Sequence, residues 1–131
     1  MNVAAMMSTG VLTASPDTSL AQVVDSLVEG HITALPIVDE RGRLLGVVST
    51  PDILRAQVEP AVQGVEGWRE ARAGEVMNHP ALTIGPKTEL REAALQMLQA
   101  EVHRLFVVAD GKLLGVVSQW DLVRSLASRT E

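Results

Sequence analysis

The sequence of 131 residues contains no cysteine. Disulfides, thiolate metal sites and a cysteine nucleophile are thereby excluded. Tyrosine is also absent, and one Phe with two Trp brings the aromatics to only 2%. Any core must therefore be built from Val, Leu, Ile, Ala and Met. Cations are few: 11 Lys and Arg against 16 Asp and Glu give a formal net charge of −5 and a pI of about 5.1. A nucleic-acid binder would carry a basic face, so this balance argues against one. No apolar run approaches the ~20 residues needed to cross a bilayer. Met1–Gly10 lacks the basic start and long apolar stretch of a secretory signal. The expectation is a cytoplasmic chain with no nucleic-acid and no membrane partner. His31, His79 and His103 are the only imidazoles, and their spacing fits no metal motif. Neither a Walker nor a Rossmann glycine loop occurs, and no nucleophile adjoins a base. The chain reads as a non-enzyme with no metal site and no required cofactor.

What is present is a repeat. Leu-Leu-Gly-Val-Val-Ser occurs at Leu44–Ser49 and again at Leu113–Ser118, each followed by an aspartate, Asp52 and Asp121. Self-similarity of this kind sets the architecture before any other signal is weighed. With an offset of 70, Met7 falls on Met77, Pro16 on Pro86, Thr18 on Thr88 and Leu35 on Leu105. The offset then drops to 69, because Asp39–Arg43 is one residue longer than Ala109–Lys112. A length change is best tolerated in such a Gly-containing surface turn. The division expected is residues 1–58 as one unit, 59–72 as a linker and 73–131 as a second unit. Each unit is near the lower limit for a self-sufficient core. Together they make one integrated domain, with 47% hydrophobic residues and a mean hydropathy of +0.19 to fill it.

Within each unit the order predicted is β-α-β-β-α. Val11–Thr13 and Leu82–Ile84 read as short strands. Thr18 and Thr88 occupy helix N-cap positions. Leu20, Val23, Val24, Leu27 and Val28 follow at helical spacing, as do Leu90, Ala93, Ala94, Met97 and Leu98. Gly30 is placed to end the first helix. Leu35–Val38 with Leu44–Val48, and Leu105–Val108 with Leu113–Val117, read as hairpins of buried strands. A closing helix starts near Thr50, with Pro51 in its first turn, and another near Gln119. The linker carries Pro60, Gly64 and Gly67 and begins as a loop, with a short helix over Trp68 to Val76.

Ser49/Asp52 and Ser118/Asp121 sit where a capping box belongs, the Ser at N-cap and the acid three residues on. An aspartate there also complements the helix dipole. The structural reading needs nothing more.

Taken together, Gly46-Val47-Val48-Ser49-Thr50-Pro51-Asp52, Gly115-Val116-Val117-Ser118-Gln119-Trp120-Asp121, Leu35-Pro36-Ile37-Val38-Asp39 and the leading Met7 and Met77 resemble the CBS domain (cystathionine β-synthase domain), present twice. The resemblance implies an α+β fold: two tandem β-α-β-β-α CBS units packed sheet to sheet with pseudo-twofold symmetry, a stand-alone Bateman-type module. It further implies a regulatory role. Such pairs bind adenosine-containing ligands (AMP, ADP, ATP or an adenosyl relative) in the cleft between units and relay occupancy to an effector protein. They commonly associate as homodimers.

By the same resemblance, Asp52 and Asp121 match ribose-binding acids, while Ser49 and Ser118 match hydroxyls near phosphate. The chemistry is compatible, because a helix N-terminus suits phosphate and a carboxylate can accept two hydrogen bonds from a diol. Thr13 and Thr83 match residues that meet adenine, although Thr near a strand end is also an ordinary β-former. His103-Arg104 stands where the first unit has Thr33-Ala34. It resembles the phosphate-contacting His-Arg step of the nucleotide-binding subunit of AMP-activated kinase, and Arg is shaped for such contact. The plainer alternative is a solvated Arg and a partly buried His. Phe106 replaces the proline that Pro36 preserves in the first unit, and Trp120 adjoins Asp121. Both open the alternatives of stacking on a base or filling a site. A reading of a different class also remains: a dimerisation or interaction module that binds no ligand.

Overall fold

A computed structural model describes residues 1–59, 67–79 and 82–127. Pro60 and Gly64, expected to open the linker as a loop, lie outside the described residues. The rest divides into two bodies, Leu12–Pro80 and a second made of Met1–Val11 with Ala81–Glu131. The bodies in space are not cut where the sequence repeat is cut. Met1–Val11 packs with the second repeat, and the segment leading into the second repeat packs with the first.

In the first body, helix α1 (Leu20–Gly30) is followed by strands β1 (Ala34–Val38) and β2 (Leu44–Ser49), helix α2 (Thr50–Val58) and one-turn helix α3 (Ala73–Val76). β1 and β2 pair antiparallel, with Ala34 opposite Ser49 and Pro36 opposite Val47. Because strand side chains alternate, Leu35, Ile37 and Val48 point one way and are buried with Leu20, Val23 and Leu27 of α1. Ala34, Pro36, Val47 and Ser49 point the other way. Trp68, in a 3-10 turn at Gly67–Glu70, joins the same core with Ala71 and Ala73. The expected helix over Trp68 to Val76 is thus two shorter turns, broken at Ala71-Arg72 where the backbone pairs with α1: Leu20 N–H donates to Ala71 O, and Ala73 N–H to Thr18 O.

The second body holds β3 (Thr83–Ile84), α4 (Leu90–Ala100), β4 (Arg104–Ala109), β5 (Lys112–Ser118) and α5 (Gln119–Leu126). β3 runs parallel to β4, and β4 antiparallel to β5, with Thr83 opposite Phe106 and Arg104 opposite Ser118. Its core is Val3, Ile84, Ala93, Met97, Leu105, Val107, Val117 and Leu122. Val3 comes from a 3-10 turn at Val3–Ala5, and its N–H donates to Thr88 O. Mixed helix and strand content around small sheets makes the fold α+β, as expected.

Several local expectations shift. The strand expected at Val11–Thr13 is reduced to one bridge at the next residue, Ala14 with Ile37. The N-cap of α1 is Ser19, not Thr18. Gln22 N–H donates to Ser19 Oγ at 3.2 Å and Ser19 N–H donates to Gln22 Oε1 at 3.4 Å, a reciprocal capping box. The Thr18 hydroxyl serves the preceding turn, accepting from Ser15 N–H. In the second body Glu89, not Thr88, is N-cap, without a side-chain bond of its own; Leu90 N–H donates to Met1 O. Gly30 is the last residue of α1 but not its left-handed cap. That conformation falls on His31 (φ 53°), and in α4 on Glu101 (φ 56°). The hairpin turns explain the one-residue gap. Asp110 (φ 52°) and Gly111 (φ 80°) make a two-residue turn of the kind Asp-Gly favours. The longer first loop is closed instead by Asp39, whose carboxylate accepts the Arg41 and Arg43 N–H groups at 2.8 and 2.9 Å.

Candidate functional site

The repeated glycine builds the site. A Cβ on Gly46 would lie 2.8 Å from Met77 Sδ and 3.0 Å from Asn78 O, and one on Gly115 would lie 2.5 Å from Ser8 O. Glycine therefore admits a second backbone segment against each strand. That segment is pinned by paired hydrogen bonds: Val47 N–H to Asn78 O at 2.7 Å and Asn78 N–H to Val47 O at 2.9 Å. Ser8 and Val116 exchange the equivalent pair at 2.8 and 3.0 Å.

Beyond the glycine each strand delivers its serine to a helix N-terminus. Ser49 N–H and Ser49 Oγ both donate to Asp52 Oδ2 at 2.8 Å. Arg55 donates to Asp52 Oδ1 at 2.6 Å and Asn78 Nδ2 donates to the same oxygen at 2.7 Å. In the second body Ser118 N–H and Oγ donate to Asp121 Oδ2 at 2.8 and 3.0 Å. Asp121 N–H returns a bond to Ser118 Oγ at 3.1 Å, and Arg124 donates to Asp121 Oδ1 at 2.9 Å. Both acids are buried, yet their arginine partners are about half exposed. The capping-box reading is therefore realised in geometry. It does not exhaust the carboxylates, since half-exposed arginines can turn away at small cost.

The candidate residues gather by body. Thr33 O accepts the Thr50 N–H at 2.9 Å, which puts Thr33 beside Ser49 and the start of α2. His103 O accepts the Gln119 N–H at 2.9 Å, so His103 stands exposed at the start of α5. Arg104 lies directly across from Ser118 and shares its sheet face. Thr83 is on that face too, opposite Phe106 and two residues, about 7 Å, along β4 from the Arg104–Ser118 pair. Thr13 holds the matching place in the first body, opposite Pro36 by the parallel register of the Ala14–Ile37 bridge and so two residues along β1 from the Ala34–Ser49 pair. It precedes the Ala14–Ile37 bridge and lines a depression of about 770 Å³ with Pro16, Val38, Arg41 and Arg43, near the hairpin turn. Of the two aromatics, Phe106 is buried within the sheet face, whereas Trp120 is 69% exposed beside Asp121.

This frame, built twice from the same residues, matches a known family. The model of the CBS domain covers residues 3–59 and 73–128. The chain belongs to the CBS domain family. CBSX2, a chloroplastic CBS domain-containing protein of Arabidopsis thaliana, is 31% identical over 135 residues, covering 84% of this chain and 56% of CBSX2. The chain spans a little over half the length of CBSX1 and CBSX2, the same 56% of each. The crystal structure of CBSX2 in complex with AMP superposes with a TM-score of 0.81 at 30% identity, covering 95% of this chain and 94% of that one. The CBS domain pair of protein MJ0100, in complex with 5′-methylthioadenosine and S-adenosyl-L-methionine, gives a TM-score of 0.77 at 25% identity, with 95% and 94% covered.

Three residues of this CBS pair that bond the candidate aspartates were not singled out from the sequence: Arg55, Arg124 and Asn78. The arginines had a usable signal, since both lie three residues beyond the repeated aspartate. Asn78 had a fainter one. It is the counterpart of Ser8 in the repeat, but only the packing of Met77-Asn78 on β2 carries it to Asp52. Among the described residues no helix is long and apolar enough to cross a membrane.

Proposed function

We propose that this CBS pair is a regulatory module that senses an adenosine-containing ligand (AMP, ADP, ATP or an adenosyl relative), relays its occupancy to an effector protein, and catalyses nothing itself. The observation that carries the reading is the buried carboxylate held at a helix N-terminus in each body, in a family whose members CBSX2 and MJ0100 were crystallised with adenosyl ligands. The ribose diol donates to Asp121 or Asp52. Phosphate takes the free N–H groups of the helix start, with Arg104 adding charge and His103 a ring N–H donor in the second body. Thr83 and Thr13 face the base. Calorimetric titration with AMP, ATP and S-adenosylmethionine tests this. Binding of at least one is expected, and Asp121→Ala weakens it about 10- to 150-fold, the loss of a hydrogen bond to a charged group at roughly 1.5–3 kcal/mol. No heat and no thermal shift with any of them sinks the reading.

One feature favours an added association role. Between α4 and α5 runs a groove of about 660 Å³ lined by Leu90, Ala94, Leu98, Leu122, Val123 and Leu126. Exposed apolar surface of this kind marks an interaction face, and a homodimer of CBS pairs in the cytoplasm is the association we propose. Sedimentation equilibrium should give a dimer that Val123→Glu reduces to monomer. A wild-type monomer at tens of micromolar rejects it.

A further inference from the structure

The two aspartates differ in one respect that the repeat conceals. An ionised carboxylate has about four lone-pair positions. Asp52 fills all four, with Ser49 N–H, Ser49 Oγ, Arg55 and Asn78. Asp121 fills three, with Ser118 N–H, Ser118 Oγ and Arg124; among the described residues nothing takes the fourth. The cause is the residue at Asn78. Its counterpart Ser8 is pinned to β5 as Asn78 is to β2, but its shorter side chain makes no bond to Asp121. Exposure follows the same order: the Asp52 side chain is 4% exposed and that of Asp121 is 11%.

We infer that Asn78 is a built-in plug that occupies the diol position of Asp52, leaving Asp121 as the carboxylate open to ligand. The inference rests on the ligand-sensing reading above and decides which half does the sensing. Arg55 and Arg124 are about equally exposed and can both swing aside. When they do, Asp121 presents Oδ1 with both lone pairs to a vicinal diol. Asp52 still holds Asn78 there at 2.7 Å, and the two backbone bonds to Val47 keep the exposed Asn78 beside the carboxylate, so a diol must displace its side-chain amide as well as Arg55. The ligand class is a compound with a cis-diol, and an anionic group beside it meets His103 and Arg104 only in the second body.

Calorimetry with AMP separates the possibilities. Wild type is expected to take one AMP per chain, with the Trp120 indole resonance, next to Asp121, shifting on binding. Asn78→Ser installs the second body's own residue and should raise the count to two. Ser8→Asn should weaken the single wild-type site at least tenfold by closing Asp121. Circular dichroism verifies that each variant is folded. Two equivalents in wild type, one equivalent that leaves Trp120 unmoved, or a folded Asn78→Ser that still takes only one would overturn the plug and leave the ligand-sensing reading standing. No heat from either protein with AMP, ATP or S-adenosylmethionine overturns both.

Discussion

Gly115→Ala should be among the more damaging single-methyl additions to this protein, and Gly46→Ala a milder one. The reasoning is geometric. The new Cβ at position 115 would sit 2.5 Å from the Ser8 carbonyl oxygen, which accepts the Val116 N–H while Ser8 N–H donates to Val116 O, so the residue is held by two hydrogen bonds. Either the strand stays and the contact is strained, at about 1–3 kcal/mol for overpacking, or the segment lifts and two hydrogen bonds are lost at about 0.5–1.5 kcal/mol each. The routes are comparable, so the expected loss is about 1–3 kcal/mol whichever the chain takes. At position 46 the nearest atom is Met77 Sδ at 2.8 Å, with Asn78 O at 3.0 Å. A thioether can rotate, which holds the loss near 1 kcal/mol. Urea denaturation followed by fluorescence suits the comparison, because Trp68 reports on the first body and Trp120 on the second. A shifted midpoint at constant slope is the expected signature. A Gly115→Ala protein within about 0.5 kcal/mol of wild type, or one more stable than Gly46→Ala, would refute the argument.

Other outcomes follow from single residues. Met97 is fully buried in the second core while Leu95 on the same helix is 47% exposed and outside the α4–α5 groove; Met97→Ala should lose about 2–5 kcal/mol and Leu95→Ala less than about 0.5, as read by thermal unfolding. Glu101 holds a left-handed φ of 56° at the end of α4, so Glu101→Gly should gain about 0.5–1 kcal/mol, and a lowered melting temperature would contradict it. The backbone N–H of Arg43, with that of Arg41, holds the Asp39 carboxyl below its ordinary value of 3.8. The stabilisation is present above the unfolded-state pKa and is lost as pH falls through the lower folded one. Asp39→Asn should therefore be less stable than wild type at pH 7, with the gap closing below pH 3.8; a gap that is the same at pH 7 and pH 2 would count against this.

Much of the fold was legible because its signals are local. The hexapeptide duplicated at Leu44 and Leu113 is a strand in both places, and Ser49 and Ser118 start helices as their spacing with aspartate predicts. Caps misplaced by one residue, at Thr18 and Thr88, failed because several adjacent polar residues can each cap, and the neighbouring backbone decides between them: Ala73 N–H already donates to Thr18 O, and Val3 N–H to Thr88 O. Asn78 was illegible for a different reason. Its partner Asp52 is 26 residues away, and periodicity carries no information about which segment will lie across a glycine. The sequence marked where the glycines are, and tertiary packing determined what they admit.

The crossing of lead-in segments between the bodies also has a temporal consequence. As the chain leaves the ribosome, α1, β1, β2 and α2 emerge long before Ala71, Ala73 and Asn78, which their core and site require. Met1–Val11 waits longer still. Val3 stays solvent-exposed until β4, β5 and α5 have been made. Vectorial synthesis can therefore complete the contiguous body Leu12–Pro80 first, whereas the other must join chain from the two ends of the sequence, Met1–Val11 and Ala81–Glu131. Non-local closures of this kind slow folding, and they leave an apolar arm unclaimed on the nascent chain. A polypeptide severed within residues 60–66 would yield two pieces, each missing the segment that completes its core.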